Sequence, residues 1–190
     1  MLKRFFDLAL VLLSLPIVAL LAFITYLLVK TTSQGDAIYW SKRVGMHNQL
    51  FNMPKFRSMK INTPALATHI MNQQADPNQY LTPVGSFIRK SSLDELPQLW
   101  SVLKGDMSIV GPRPALFNQD DLISLRSEYG VHILKPGITG WAQVNGRDEL
   151  PIPQKVVLDA YYLKHQSLWL DCYIILLTVF KVLKRDGVSH

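Results

Sequence analysis

The pattern of apolar and polar positions divides the chain into one long apolar stretch and a series of short alternating or periodic ones. Residues 8–29 carry no formally charged side chain. At about 1.5 Å per residue they make roughly 33 Å of helix against a bilayer core of about 30 Å, so their length permits a full span. Pro16 falls near the middle, where a missing backbone donor and a clash with the carbonyl one turn back kink or break a helix at about 3 kcal/mol. Ser14 beside it can satisfy the freed backbone groups. Lys3 and Arg4 precede the stretch, and Lys30, Lys42 and Arg43 follow it. Both ends therefore favour the same anionic, cytoplasmic face. A segment that enters the membrane, breaks at residues 14–16 and returns satisfies both ends, and a single span is the alternative. A cleavable signal peptide fits less well, because the apolar run is long and no small-residue cleavage site follows it.

Beyond a polar linker at 31–36, short apolar runs at 37–40 and 50–53 flank the turn Gly45-Met46-His47-Asn48 and predict a β-hairpin. Its second arm continues into Lys55-Phe56-Arg57, whose alternation puts both cations on one face. Either a solvated strand face or a pair of ligand-binding cations fits that pattern. Residues 62–80 are polar, with Pro64 and Pro77, and read as a helical excursion or surface loop. Residues 91–104 read as a short amphipathic helix that stops at Gly105. Its opening, Ser92-Leu93-Asp94-Glu95, matches a capping box, and acids suit the positive end of a helix dipole. Pro97 is tolerated only near a helix start, which places both acids there.

Further along, prolines on both sides of Arg113 in Gly111-Pro112-Arg113-Pro114 hold its neighbours extended, while Gly111 allows backbone to approach a ligand. A guanidinium held this way suits bidentate phosphate binding, and a rigid turn is the alternative. Residues 119–129 predict a polar helix burying Leu122, Ile123 and Leu125. Residues 135–147 are a dense glycine series containing Trp141, Gln143 and Arg147, able to offer backbone donors, an aromatic ring and a cation to a nucleotide diphosphate. That series matches no Walker or Rossmann pattern. Residues 158–165 carry Tyr161 and Tyr162. The apolar run 168–183 has an uncharged core too short to span; it reads either as a helix lying on a membrane surface or as one packed into the core.

Composition sharpens the membrane reading. The chain has 190 residues, 48% of them hydrophobic, and a net charge of +6. Its mean hydropathy is +0.13. Residues 1–60 hold eight Lys/Arg and two acids, and the remainder is balanced, so the whole excess flanks the long apolar stretch. Nucleic-acid binding, the competing reading of a pI near 9.5, lacks a recognition-helix, zinc or RNA-binding motif. Cys172 is the only cysteine, so no disulfide framework exists and a reducing compartment fits. The five histidines are scattered without ligand spacing, which argues against zinc. Asp94 and Glu95 then stand out as adjacent carboxylates with Arg89 and Lys90 before them and Arg113 after. On residues alone they read first as helix caps and second as reactive groups among phosphate-binding cations.

Four motifs decide between those readings. Lys55-Phe56-Arg57-Ser58-Met59, then residues 92–99, residues 108–114, and Pro136-Gly137-Ile138-Thr139-Gly140 with Asn145-Gly146-Arg147 stand in the order seen in bacterial monotopic phosphoglycosyl transferases, and nearly the whole chain resembles a small member of that family. The resemblance implies an α+β fold, mainly helical and membrane-associated, with a small β-hairpin, a re-entrant N-terminal helix broken at Ser14 and Pro16, and interfacial amphipathic helices. Residues 1–34 would form the membrane helix and linker, and residues 35–190 a catalytic domain on the cytoplasmic face of the bacterial inner membrane. The implied reaction moves a sugar phosphate from a UDP-sugar to undecaprenyl phosphate, releasing UMP, by a ping-pong route with Mg²⁺. Asp94 would be the nucleophile and a Mg²⁺ ligand, with Glu95 its partner. Lys55, Arg57, Arg89, Gly111, Arg113 and Arg147 would bind phosphate or nucleotide. The lipid bilayer would be a partner, nucleic acid would not, and a homodimer is left open. Two departures from the family stand out: Leu15 separates Ser14 from Pro16, and the linker reads Ser33-Gln34-Gly35-Asp36, which predicts a looser linker. Residues 113–119 and 146–150 resemble members that use N-acetylated 6-deoxy amino sugars.

Overall fold

The computed structural model describes residues 2–63, 77–146 and 150–184. Most of the excursion at 62–80 lies outside them, and so does Arg147. The chain begins with helix α1, Leu2–Thr32, which contains Pro16. The interruption expected at residues 14–16 does not divide it into two helices. Ser14 Oγ donates to the carbonyl of Val11 at 3.1 Å. Asp7, Val11, Thr25 and Val29 are buried, and half-buried Ser14, Val18 and Ala22 lie between them. These positions recur every three or four residues and form one stripe. Leu12, Leu13, Ile17, Leu20 and Phe23 face outward. Among the described residues α1 is the one helix long and apolar enough to cross a membrane.

Both ends of α1 belong to the core of the same body. Val11 packs with Met53, Val102 and Met107, and Val29 packs with Ala37, Phe56 and Ile88. Polar ties reinforce each end. Lys3 Nζ lies 2.7 Å from Asp171 Oδ2, and Arg4 donates to the carbonyls of Val102 and, at 2.7 Å, Leu103. The carboxylate of Asp7 accepts from Ser108 Oγ at 2.9 Å and from the Ile109 amide at 3.2 Å. Lys3 and Arg4, read from sequence as a positive collar, therefore have protein partners. Arg4 sits on the last carbonyls of a helix, where a cation is favoured.

Strands β1, Ile38–Val44, and β2, Leu50–Phe56, form the expected antiparallel hairpin, with Ile38 opposite Phe56 and Val44 opposite Leu50. Its turn places His47 and Asn48 at φ of 55° and 60°. Helix α2, Gly85–Lys90, leads through a single 3₁₀ turn, Leu93–Glu95, into α3, Gln98–Lys104. Gly105 ends α3 at φ 100° and donates to the carbonyls of Ser101 and Val102, a left-handed cap that favours glycine.

Next come β3, Ser108–Val110, α4, Asp120–Glu128, β4, Gly137–Thr139, and the short α5, Trp141–Val144. Helices α6, Ile152–His165, and α7, Leu168–Lys184, complete the chain. Strands β3 and β4 pair in parallel, a pairing that the periodicity of two three-residue segments does not reveal. In α4 Leu122 is buried, with Ile123 and Leu125 packed beside it. Helix α7 combines its two expected roles on opposite faces. Asp171 and Ile174 are fully buried, while Trp169 (84% exposed), Tyr173, Leu176, Val179 and Phe180 point outward. The architecture is α+β, mainly helical with a small hairpin.

Candidate active site

Asp94 and Glu95 occupy the 3₁₀ turn rather than the first turn of α3. Ser92 adopts the left-handed conformation, φ 55°, and its side chain makes no cap. The Glu95 amide donates to the Ser92 carbonyl at 3.1 Å, so the capping box expected from the spacing does not form. The reason is electrostatic and tertiary: the Glu95 carboxylate has better partners than an amide. Lys55 Nζ lies 2.9 Å from Glu95 Oε1 and Arg113 Nη1 lies 3.3 Å from the same oxygen. Charge-assisted bonds of this kind are roughly twice as strong as neutral ones.

Asp94 faces differently. It is 8% exposed, and among the described residues no group lies within hydrogen-bonding distance of its carboxylate. Burial pushes its carboxyl above the ordinary value of 3.8; the charge of Lys55 opposes this, the charge of Glu95 adds to it, and Arg89 and Arg113 pull back down. Burial likewise holds the Lys55 ammonium below its ordinary 10.5, against the stabilising charges of Glu95 and Asp94. The two adjacent acids are thus distinct: Glu95 is neutralised by bonded cations, while Asp94 is desolvated and uncommitted within the field of three cations.

The remaining sequence candidates separate. Lys55, Arg89 and Arg113 act on Asp94. Arg57 does not join them; its Nη2 donates to Ser33 Oγ at 2.9 Å, tying the end of α1 to β2, and a Cβ on Gly35 would stand 2.6 Å from its Nη1. Gly111 permits a close backbone approach, but the backbone is the protein's own. A Cβ there would lie 2.3 Å from the Lys135 carbonyl, and one on Gly140 would lie 2.1 Å from the Gly111 carbonyl. In the glycine series, Trp141 stacks on Tyr161 with centroids 5.8 Å apart. Both buried amide atoms of Gln143 lack a hydrogen-bond partner among the described residues.

Two cations near this site carried no sequence signal. Arg43 Nη1 donates to the Pro114 carbonyl at 3.2 Å, and Arg126 Nη1 donates to the Arg113 carbonyl at 2.8 Å. In the sequence Arg43 belongs to the basic group after the long apolar stretch and Arg126 lies within the polar helix at 119–129, and neither stands near the acids in the chain.

Comparison with known proteins bears on this arrangement. Residues 1–185 match the family described as bacterial sugar transferase. The chain is 41% identical over 202 residues to the undecaprenyl-phosphate galactose phosphotransferase of Salmonella typhimurium, covering 98% of this chain and 41% of that protein. It is 40% identical over 188 residues to the UDP-glucose:undecaprenyl-phosphate glucose-1-phosphate transferase of Escherichia coli, covering 95% and 40%. The uncharacterized sugar transferase EpsL of Bacillus subtilis is 38% identical over 191 residues, 100% of this chain and 91% of that protein. The chain therefore spans about two fifths of the length of several curated relatives and most of one.

Proposed function

The chain belongs to the bacterial sugar transferase family, and from that premise we propose that it transfers a sugar phosphate from a UDP-sugar to undecaprenyl phosphate, giving the undecaprenyl-diphosphate sugar and UMP. The relatives' names supply the substrate classes. The observation that carries the chemistry is the division of labour between Glu95, held by Lys55 and Arg113, and Asp94, which is buried and whose carboxylate no described residue bonds. A desolvated carboxylate is a stronger nucleophile than a hydrated one, and it needs nearby cations to approach an anionic diphosphate.

In the first half-reaction an Asp94 Oδ attacks the sugar-bearing phosphorus. The bond from that phosphorus to the bridging oxygen breaks, and UMP leaves with both electrons of that bond. The phosphosugar is then joined to Asp94 as an acyl phosphate. In the second half-reaction a phosphate oxygen of undecaprenyl phosphate attacks the same phosphorus, and the Asp94 carboxylate leaves unchanged. Arg89 and Arg113 offset the charge of the diphosphate, and Lys55 keeps Glu95 from adding to it. No group of three or more His, Cys, Asp or Glu gathers at one point among the described residues. Asp94 alone fits Mg²⁺, which is commonly held by one or two carboxylates together with substrate phosphates. When bound, Mg²⁺ would neutralise phosphate charge.

The acceptor lipid sets the location. The outward apolar face of α1, an undivided helix with both its ends packed into one body, supports a helix that lies in the cytoplasmic leaflet of the inner membrane without crossing it. The exposed aromatic face of α7 supports a domain resting on the same surface. The deciding experiment incubates purified protein with a panel of UDP-sugars, undecaprenyl phosphate and Mg²⁺ and measures UMP. With donor alone, stoichiometric UMP and a phosphosugar adduct on the Asp94 peptide are expected. No UMP with any donor overturns the proposal.

A further inference from the structure

Arg113 stands between two prolines, neither of which offers an amide hydrogen. Its loop is therefore fixed largely through carbonyls, and the structure holds four in succession by four different donors. Pro112 O accepts from the Gly137 amide at 2.9 Å and Ala115 O from the Val44 amide at 3.0 Å. Between them, Pro114 O accepts from Arg43 and Arg113 O from Arg126 Nη1 at 2.8 Å. The last of these holds the residue whose guanidinium reaches Glu95.

Arg126 is itself oriented. Its Nε and Nη2 donate to Asp159 Oδ2 on α6 at 3.0 and 2.6 Å. The two side chains are 11% and 1% exposed, so neither is available to a nucleotide-sized substrate. A guanidinium is a rigid planar fork: once one edge is fixed on Asp159, the direction of Nη1 is fixed too. A simple tie between α4 and α6 would need no third bond to Arg113, and buried ion pairs are weak stabilisers against apolar pairs of similar volume.

We propose that Arg126, held by Asp159, is a positioning residue that fixes the Arg113 backbone and so the place of the Arg113 guanidinium against Glu95 and the donor diphosphate. The proposal rests on the transfer reaction proposed above. Because Arg126→Gln leaves Asp159 buried without its cation and can fail to fold, the paired variant Arg126→Met with Asp159→Leu is made as well. It removes the bond to Arg113 without orphaning a charge.

Three measurements decide the matter. In wild-type background the paired variant lowers kcat/KM for UMP release about tenfold; in an Arg113→Ala background the same change lowers it less than twofold, because the effect passes through Arg113. Equal fold-losses in both backgrounds overturn positioning and leave a structural pair. Hydrogen exchange tests the loop without activity: the Val44 and Gly137 amides, bonded to the flanking carbonyls, exchange at least tenfold faster in the paired variant, while the Ser41–Met53 pairing of the hairpin keeps its protection. Unchanged exchange at both amides overturns the proposal. Wild-type protein that releases no UMP overturns the transfer reading, and the exchange result still decides the positioning claim.

Discussion

The Lys55 ammonium lies 2.9 Å from Glu95 Oε1, and the carboxylate of the very next residue back in the chain, Asp94, is bonded by no described group. Adjacent acids in one 3₁₀ turn thus differ in their bonded partners, so one can be neutralised while the other stays available. Asp94→Asn is expected to abolish UMP release and leave the fold intact. The sign follows from the raised carboxyl: a group of this kind favours folding below its unfolded value and opposes it once ionised, so at neutral pH its removal costs nothing. Glu95→Gln is expected to destabilise by about 1–3 kcal/mol, because it weakens bonds to two cations. Thermal unfolding beside UMP assays separates the two variants, and a large loss of stability in Asp94→Asn would count against an uncommitted carboxylate.

The pH profile of kcat/KM is expected to be bell-shaped. Activity rises as Asp94 loses its proton, at a pH above 3.8, because burial raises that carboxyl. It falls as Lys55 loses its proton, at a pH below 10.5, because burial lowers that ammonium. Lys55→Arg should move the alkaline limb out of range, since a guanidinium stays charged. An unchanged alkaline limb in that variant removes Lys55 from the assignment.

Asp171 is fully buried and is met by Lys3 at 2.7 Å and by the Tyr162 hydroxyl at 2.6 Å. Burial and this bond raise the Tyr162 phenol well above its ordinary value, so the hydroxyl remains a donor throughout the working range. Lys3→Met leaves the carboxylate with the phenol alone and is expected to destabilise by about 1–3 kcal/mol, less than a fully buried pair because Lys3 is partly exposed. Denaturation of the purified protein in detergent measures it.

Gly140→Ala is expected to destabilise by about 1–3 kcal/mol through overpacking, because its Cβ would stand 2.1 Å from the Gly111 carbonyl. Gly130→Asn should change stability by well under 1 kcal/mol. Its φ is 74°, a region asparagine tolerates, and the nearest atom to a Cβ is Leu163 Cδ2 at 3.7 Å. Comparable losses in both would show that contact with Gly111 does not set the tolerance.

Single cysteines at Leu2 and Thr32, in a Cys172→Ser background, should react with an impermeant maleimide from the same side of the membrane. Reaction from opposite sides would establish a span.

The sequence by itself determined the elements whose causes are local. Apolar length and Pro16 marked α1, the Gly45–Asn48 turn between β-prone runs marked the hairpin, and Gly105 marked the end of α3 because a left-handed cap favours glycine. It also brought Asp94, Glu95, Lys55, Arg89 and Arg113 forward as candidates. Tertiary structure decided what those groups do. The same spacing that writes a capping box at Ser92 and Glu95 gives way when two cations from β2 and the Pro112–Pro114 loop compete for the carboxylate. Arg57, one strand alternation from Lys55, goes to Ser33 instead. Gly111 approaches backbone rather than ligand. Arg126 and Asp159, 33 positions apart, carry no local pattern at all. Charge-assisted bonds between distant segments depend on where the chain folds back. Periodicity records only which face a residue is on, not which partner is waiting there.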